Sequence, residues 1–327
     1  MITVAGFNTA LDKLVDVDVL RAGAMQRISG VRVSFGGKGL HVAQTIASLG
    51  ERVCLVGLVD AASGPAIAAL MRERGVEFHG IEVPGSIRTC LAIRERDGRI
   101  TELLEPGPEL DAATREKMLA TFRSLALESD LAVMSGSLPP GFDDATYAGF
   151  VRELQSAGVP CLVDTSGAAL RLTIEARPFL VKPNRDEAAV LFGKPVDNIG
   201  DAAAALRMLL ARGVPMPVVS LGADGVVAAR GNAMLHANVT IERVVSAVGS
   251  GDCLVAGLAM SLVRGDNLET MLRLGAACGA ANAGAGLGHA QRADVEALLP
   301  RVRTTAIASA GTSTTNSPST PSQESHP

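Results

Sequence analysis

A chain of 327 residues with 47% hydrophobic and 20% charged residues can bury a sizeable core, which excludes a wholly disordered polymer. Its net charge of −4 excludes a general affinity for nucleic acid or acidic membranes, while leaving room for a small basic pocket. Five cysteines, at 54, 90, 161, 253 and 278, are widely scattered without a CxxC pair; they point to reduced thiols in a cytosolic protein and not to a disulfide frame or a zinc site.

The opening MITVAGF is apolar at once and lacks a basic leader, so it reads as a first strand and not a signal peptide. Lys13–Leu20 and Ile28–Phe35 then alternate like half-buried strands. A helical pattern over Leu40–Leu49 precedes the strand candidate RVCLVGLV. Further on, TCLAIRERDGRITELLE pairs two alternating runs around Asp97–Gly98, the signal of a hairpin with a type I′ turn. Helical patterns at Ala113–Leu127, Ala145–Ala157 and Ala202–Arg212 alternate with the strand candidates LAVMSGS, VPCLVDTS, FLVKPN and VPMPVVSLG. No apolar run approaches the roughly 20 residues of a membrane span.

This alternation predicts an α/β protein with a mostly parallel central sheet and helices on both faces. The early strands and the hairpin, about 13–35 and 88–105, form a small antiparallel β lid inserted into one domain over 1–303. Residues 304–327, rich in Ser, Thr and Pro, read as a disordered tail. The patterns GxxxxGK[ST], HExxH and GxSxG are absent, and Gly284, Gly286 and Gly288 follow a helix, so they do not support a dinucleotide loop.

Four short stretches carry the chemistry. In VGSGDCLVAG, Gly249, Ser250 and Gly251 precede an apolar helix and would aim N–H groups at an anion. Spacing alone leaves Asp252 open to two roles, helix capping or catalysis. In FGGKGLHVAQ, Gly36 and Gly37 allow close approach and Lys38 adds a point charge at a helix start, against the alternative of a tight turn with a solvated lysine. LVKPNRDEAAVLF places Asn184 and Glu187 at capping-box spacing, a structural reading. VVSLGADGVVAA is an ordinary hairpin when taken alone. Asp12 and Arg88 are individually unremarkable; the case rests on the set and its order.

That ordered set (NTALD, GGKG, Arg88, EPGP, SGSLPPG, VDTSG, KPNRDE, SLGADG and VGSGD) resembles the PfkB family of carbohydrate kinases, with the ribokinase-like fold, from Met1 to about Val302. Lys38 and EPGPEL place the resemblance in the hexose-phosphate branch. It implies that Asp252 is the general base and that Gly249, Ser250 and Gly251, with the Asp252 N–H, form an anion hole. It implies that Asp12, Gly36, Gly37 and His41 border the sugar, and that Arg88, Arg27 and Lys38 hold its phosphate beside Ser137. It also implies ATP with Mg²⁺, with Lys182, Ser220, Gly222 and Gly225 at the nucleotide and Asn184 and Glu187 organising metal-bound water. Two positions depart from the family pattern: His41 stands where Asn is usual and Thr9 where Pro is usual.

The implied activity is phosphorylation of fructose 1-phosphate, a phosphorylated ketohexose, to fructose 1,6-bisphosphate. Tagatose 6-phosphate and fructose 6-phosphate are the alternative acceptors. A silent sugar-phosphate sensor and a dinucleotide oxidoreductase are rivals from other classes. The exposed lid further implies a homodimer through the β lid, with no nucleic-acid or membrane partner, in the cytoplasm.

Overall fold

In the computed structural model, which describes residues 1–308, strand and helix alternate along most of the chain. β1 (Ile2–Gly6) leads into β2 (Ala10–Val17) and β3 (Gly30–Gly36), followed by α1 (Lys38–Ser48), β4 (Val53–Val59), α2 (Gly64–Glu73) and β5 (Glu77–Glu82). Next come β6 (Arg88–Glu95), β7 (Ile100–Leu104), α3 (Ala112–Leu127), β8 (Leu131–Ser135), α4 (Thr146–Ser156), β9 (Cys161–Asp164) and α5 (Gly167–Glu175). Then follow β10 (Leu180–Val181), α6 (Arg185–Phe192), α7 (Ile199–Ala211), β11 (Met216–Ser220), β12 (Val226–Arg230) and β13 (Ala233–Asn238). The described chain closes with α8 (Ser250–Val263), α9 (Leu268–Ala285), α10 (Arg292–Leu298) and β14 (Arg303–Ala306).

Ten strands form the main sheet in the order β14-β13-β12-β11-β10-β9-β8-β1-β4-β5. Neighbours from β11 through β5 run parallel, and β12 to β14 add an antiparallel edge. β4 and β8 are buried along their whole length, which explains why VCLVGLV and LAVMS read as unbroken apolar runs. Side chains alternate across β1. Thr3 Oγ1 lies 2.6 Å from Ser129 Oγ just past α3, whereas Gly6 abuts Gly39 of α1, so α3 and α1 cover opposite faces. On the α3 side Phe7 meets Phe122 edge-on with ring centroids 5.4 Å apart. On the other, α8 packs between α1 and α9 and is apolar nearly all round, as a helix buried on every side must be. Among the described residues no helix is long and apolar enough to cross a membrane.

Chain order reverses between β1 and β8, because β4 and β5 extend the sheet one way and β8 to β11 the other. Such a reversal leaves a crevice beyond the carboxyl ends of the two strands, where open α/β sheets bind ligands.

The lid is a separate four-stranded sheet in the order β3-β2-β6-β7. β2–β3 and β6–β7 are antiparallel pairs, joined by a parallel seam between β2 and β6. Its hairpin turn is not the expected type I′, which needs positive φ at both central residues. Arg177 is the only non-glycine with positive φ among the described residues, so Asp97 lacks it, while Gly98 has φ 90°. Gly98 N–H donates to Glu95 O at 2.9 Å, and Glu95 N–H donates to Arg99 O at 2.8 Å, giving a three-residue connection closed by a left-handed glycine. That geometry asks for the left-handed conformation only where no Cβ opposes it.

The expected boundary at 303/304 also moves. Thr304, Thr305 and Ala306 pair with β13, and Ile307 N–H donates to Met234 O at 2.8 Å. Threonine suits a half-exposed edge strand, so this short segment forms without an apolar signature. The expected tail from 309 to 327 lies outside the described residues.

Candidate active site

The turn that starts α8 sits at the crevice. Gly249 caps the helix with φ 81°, and a Cβ there would come within 3.0 Å of Gly288 Cα, so conformation and space both select glycine. Part of the expected anion hole is already engaged in the turn: Ser250 N–H donates to Ala247 O and Asp252 N–H to Gly249 O, each at 3.1 Å. The N–H groups of Gly249 and Gly251 have no protein acceptor among the described residues and remain for a ligand. Asn282 of α9, absent from the sequence candidates, pins the turn by donating from Nδ2 to Val248 O at 2.7 Å and Ser250 Oγ at 3.1 Å. Its one available signal was a lone amide in an otherwise small and apolar helical run.

A buried carboxylate gathers the two lysines of the set. Asp164, at the end of β9, lies 3.2 Å from Lys38 Nζ and 3.1 Å from Lys182 Nζ. Burial pushes its carboxyl upward, but Lys182 and Lys38 more than reverse this and hold it below the usual carboxylate range. Burial likewise opposes the charge on Lys38, yet Asp164, with Asp252 and Glu187 nearby, raises its pKa above the ordinary lysine value. Two cations thus share the one carboxylate they both touch. Lys182 Nζ lies 3.9 Å from the point a Cβ on Gly251 would occupy, so Lys182 adjoins the open backbone donors. An anion seated on the turn would meet both. The motif VDTSG contains Asp164, but nothing local in it signals that this carboxylate pairs with distant lysines.

Asp252 is buried in the first turn of α8, with Oδ2 3.0 Å from His41 Nδ1; on the opposite edge of the ring, His41 Nε2 lies 3.4 Å from Asp12 Oδ2 on β2. A Cβ on Gly36 would fall 1.8 Å from Asp12 Oδ2, so this cluster needs the bare backbone there. Gly37 caps α1 and Lys38 begins it, which places the GGKG turn against the same cluster. Burial disfavours charge on His41, but hydrogen bonds to Asp12 and Asp252 outweigh it and raise the pKa to about 10.

Across the reversal between β1 and β8, Asn8 Nδ2 donates to Ser137 Oγ at 3.0 Å and to Pro106 O at 2.9 Å. Asn8 Oδ1 is buried with no protein partner. Arg88 Nε donates to Asn8 O at 3.1 Å, and Arg88 and Ser137 line a cleft of about 470 Å³ with Glu105, Phe142 and Asp144. Arg27 stands apart: it is exposed in the β2–β3 loop, and no ion pair or hydrogen bond among the described residues ties it to the others.

Asn184 and Glu187 form the capping box their spacing suggests, with Asn184 Oδ1 accepting from Glu187 N–H and Glu187 Oε2 from Asn184 N–H, each at 2.8 Å. Burial raises the Glu187 pKa, and Asp164, Lys38 and Lys182 all act on its carboxylate. Ser220 ends β11 and its N–H donates to Pro183 O at 3.1 Å, which brings the turn holding Gly222 and Gly225 against the KPN loop. Arg185 fastens the two by donating to Leu221 O at 3.2 Å and pairing with Asp224.

Comparison with known proteins shows the family of the chain. Residues 7–289 match the pfkB family carbohydrate kinases. The chain is 31% identical over 301 residues to a 1-phosphofructokinase of Vibrio cholerae serotype O1, covering 92% of this chain and 95% of that one. It is 35% identical over 276 residues to a 1-phosphofructokinase of Xanthomonas campestris pv. campestris, covering 83% and 87%. The crystal structure of phosphofructokinase-2 from Escherichia coli in complex with substrates and products matches with a TM-score of 0.84 at 25% identity, over 91% of this chain and 98% of the other. Lid, crevice and glycine turn all fall within the matched span, and the chain belongs to the pfkB family of carbohydrate kinases, phosphotransferases that act on a sugar hydroxyl.

Proposed function

We propose that this kinase transfers the γ-phosphoryl group of ATP to fructose 1-phosphate, giving fructose 1,6-bisphosphate and ADP. One observation carries the reading: a buried carboxylate, Asp252, stands at the same helix start as the open N–H groups of Gly249 and Gly251, with Lys182 alongside. The acceptor hydroxyl loses its proton to Asp252 as its oxygen attacks the γ-phosphorus and the bond to the β–γ bridging oxygen breaks. The glycine N–H groups and Lys182 hold the charge on the transferring group, which such a reaction requires more than covalent help.

On the sugar side, Asp12 accepts from a sugar hydroxyl across the bare backbone of Gly36 and Gly37. Arg88 and Ser137 hold the existing phosphate at their shared cleft, with Lys38 supplying charge from the GGKG turn. Arg27 would join only if its loop folds inward. Ser220, Gly222 and Gly225 border the nucleotide. Mg²⁺ bound with ATP would neutralise phosphate charge. Asn184 and Glu187 fit that ion through water, since Glu187 Oε1 has no protein partner among the described residues.

The names of the two curated relatives favour fructose 1-phosphate. A second acceptor, fructose 6-phosphate, is favoured by the likeness to phosphofructokinase-2; tagatose 6-phosphate would use the same machinery. ADP release measured over a panel of phosphorylated and free ketohexoses tests the reading. The highest kcat/KM is expected with fructose 1-phosphate, and turnover of free sugars alone would overturn it. No ATP consumption at all would favour the silent sensor.

The active unit in this proposal is a homodimer through the lid, in the cytoplasm. Val33, Lys13, Leu91 and Leu103 align across the four strands, a row apolar but for Lys13, and Val33 and Leu103 are each 57% exposed, which suits it to a second copy. All five cysteines are free, in keeping with a reducing compartment.

A further inference from the structure

We infer that His41 is a positioning residue that clamps the base Asp252 and the sugar-side Asp12 into one hydrogen-bonded unit, and that it does so as an imidazolium. The inference rests on the kinase reading above.

Each ring nitrogen faces a carboxylate oxygen, Nδ1 at 3.0 Å from Asp252 and Nε2 at 3.4 Å from Asp12. An ionised carboxylate only accepts, so hydrogen on Nδ1 serves the hydrogen bond to Asp252 and hydrogen on Nε2 serves the charge pair with Asp12; an imidazole with both N–H groups is cationic. A Cβ on Gly288 would come within 2.8 Å of Nε2 and one on Gly36 within 2.9 Å, so the ring occupies space that exists only because both neighbours are glycine.

The charged groups that meet the ring are Asp12 from β2 and Asp252 from α8; Lys38 on its own helix and Cys253 on α8 feel Asp252, and Cys90 of β6 hydrogen-bonds to Asp12. Glu102 from β7 acts on both carboxylates, and His289, between α9 and α10, feels the charge of His41. With the His41 pKa raised to about 10, the cation persists across the neutral range.

The consequence is geometric. Asp252 Oδ2 is engaged by His41, so Oδ1 is the oxygen left to take the substrate proton. The hydroxyl held by Asp12 and the hydroxyl deprotonated by Asp252 are set in register through one ring. The asparagine that the family resemblance leads one to expect here would bring no charge and a shorter side chain.

A double-mutant cycle tests this, using kcat from single-turnover phosphoryl transfer in wild type, His41→Asn, Asp252→Asn and the double variant. His41→Asn is expected to lower kcat about 10-fold to 100-fold in the wild-type background and less than about twofold in Asp252→Asn, because contacting residues that act through one another are not additive. Equal losses in both backgrounds would reduce His41 to a structural residue and overturn the inference. In ¹⁵N NMR of the histidine rings, the signals lost in His41→Asn should remain doubly protonated at neutral pH and titrate near 10. A neutral His41 ring at pH 7 would overturn the imidazolium. Absence of kinase activity in wild type would overturn the kinase reading and this role together, whatever the NMR state of the ring.

Discussion

Lys182 Nζ lies 3.1 Å from Asp164 Oδ1, with both side chains all but lost to solvent. Sheet register sets this pair: Val181 of β10 lies beside Val163 of β9, so the next residue on each strand is the lysine and the aspartate. Neither charge would be tolerable there alone.

Asp164→Asn therefore removes the partner of a buried cation and should cost about 3–5 kcal/mol, read as a lower midpoint in denaturant or heat. The sign of its pH dependence follows from a folded-state pKa lowered from 3.8. The Asp164 contribution is complete above that ordinary value and is lost as pH falls through the lower folded value. The stability gap between wild type and variant should thus close only in acid.

Asp252→Asn keeps the shape of the side chain and removes the base. A loss in kcat of ~10²–10⁴-fold is expected, with ATP affinity by calorimetry nearly unchanged. An unaltered rate would mean that Asp252 only opens the helix.

Asn282→Ala cuts both bonds from α9 to the glycine turn. It should cost about 1–3 kcal/mol in stability, because a buried carbonyl loses its donor. It should also lower kcat more than it raises KM for the sugar phosphate, since the turn it loosens holds the transferring group.

His41 supplies a pH signature of the opposite sense. Its folded pKa is raised from 6.5 to about 10, so its stabilisation is fully present below 6.5 and disappears as pH rises through about 10. Thermal midpoints of wild type and His41→Asn should converge between neutral pH and about 10.

Leu103→Lys places a charge opposite Leu91 at the exposed apolar end of this row of the lid. Sedimentation should show the dimer weakened at least tenfold, and a wild type that sediments as a monomer would refute the lid interface.

Much of the architecture was legible because parallel strands covered on both faces must be apolar throughout; β4, β8 and β11 were visible as runs, as was the glycine turn before α8. Less distinctive strands escaped. EFHGIE of β5 lies at the sheet edge with most positions partly or fully exposed, and the FLVKPN candidate reduces to the two residues of β10. Thr304–Ala306 read as tail because an exposed edge strand needs no hydrophobic alternation. Arg27 came from the resemblance alone, but a loop residue takes its place from its contacts, and among the described residues no hydrogen bond or ion pair holds it.

The site divides the same way. The positive φ at Gly37 and Gly249, the capping pair Asn184–Glu187 and the acid in the first turn of α8 are local demands, met within a few residues and so readable in order along the chain. The stretch VGSGDCLVAG thus announced a helix start with open backbone donors and an acid in it, without the acid's partner. Which groups share charge is a different matter: Asp164 with Lys38 and Lys182, His41 between Asp12 and Asp252, and Asn282 under the glycine turn join residues from separate strands and helices. Electrostatics and hydrogen bonding act over a few ångströms of space and not along the sequence. Those pairings came into being only when the reversal between β1 and β8 and the packing of α1 against α8 brought distant segments together.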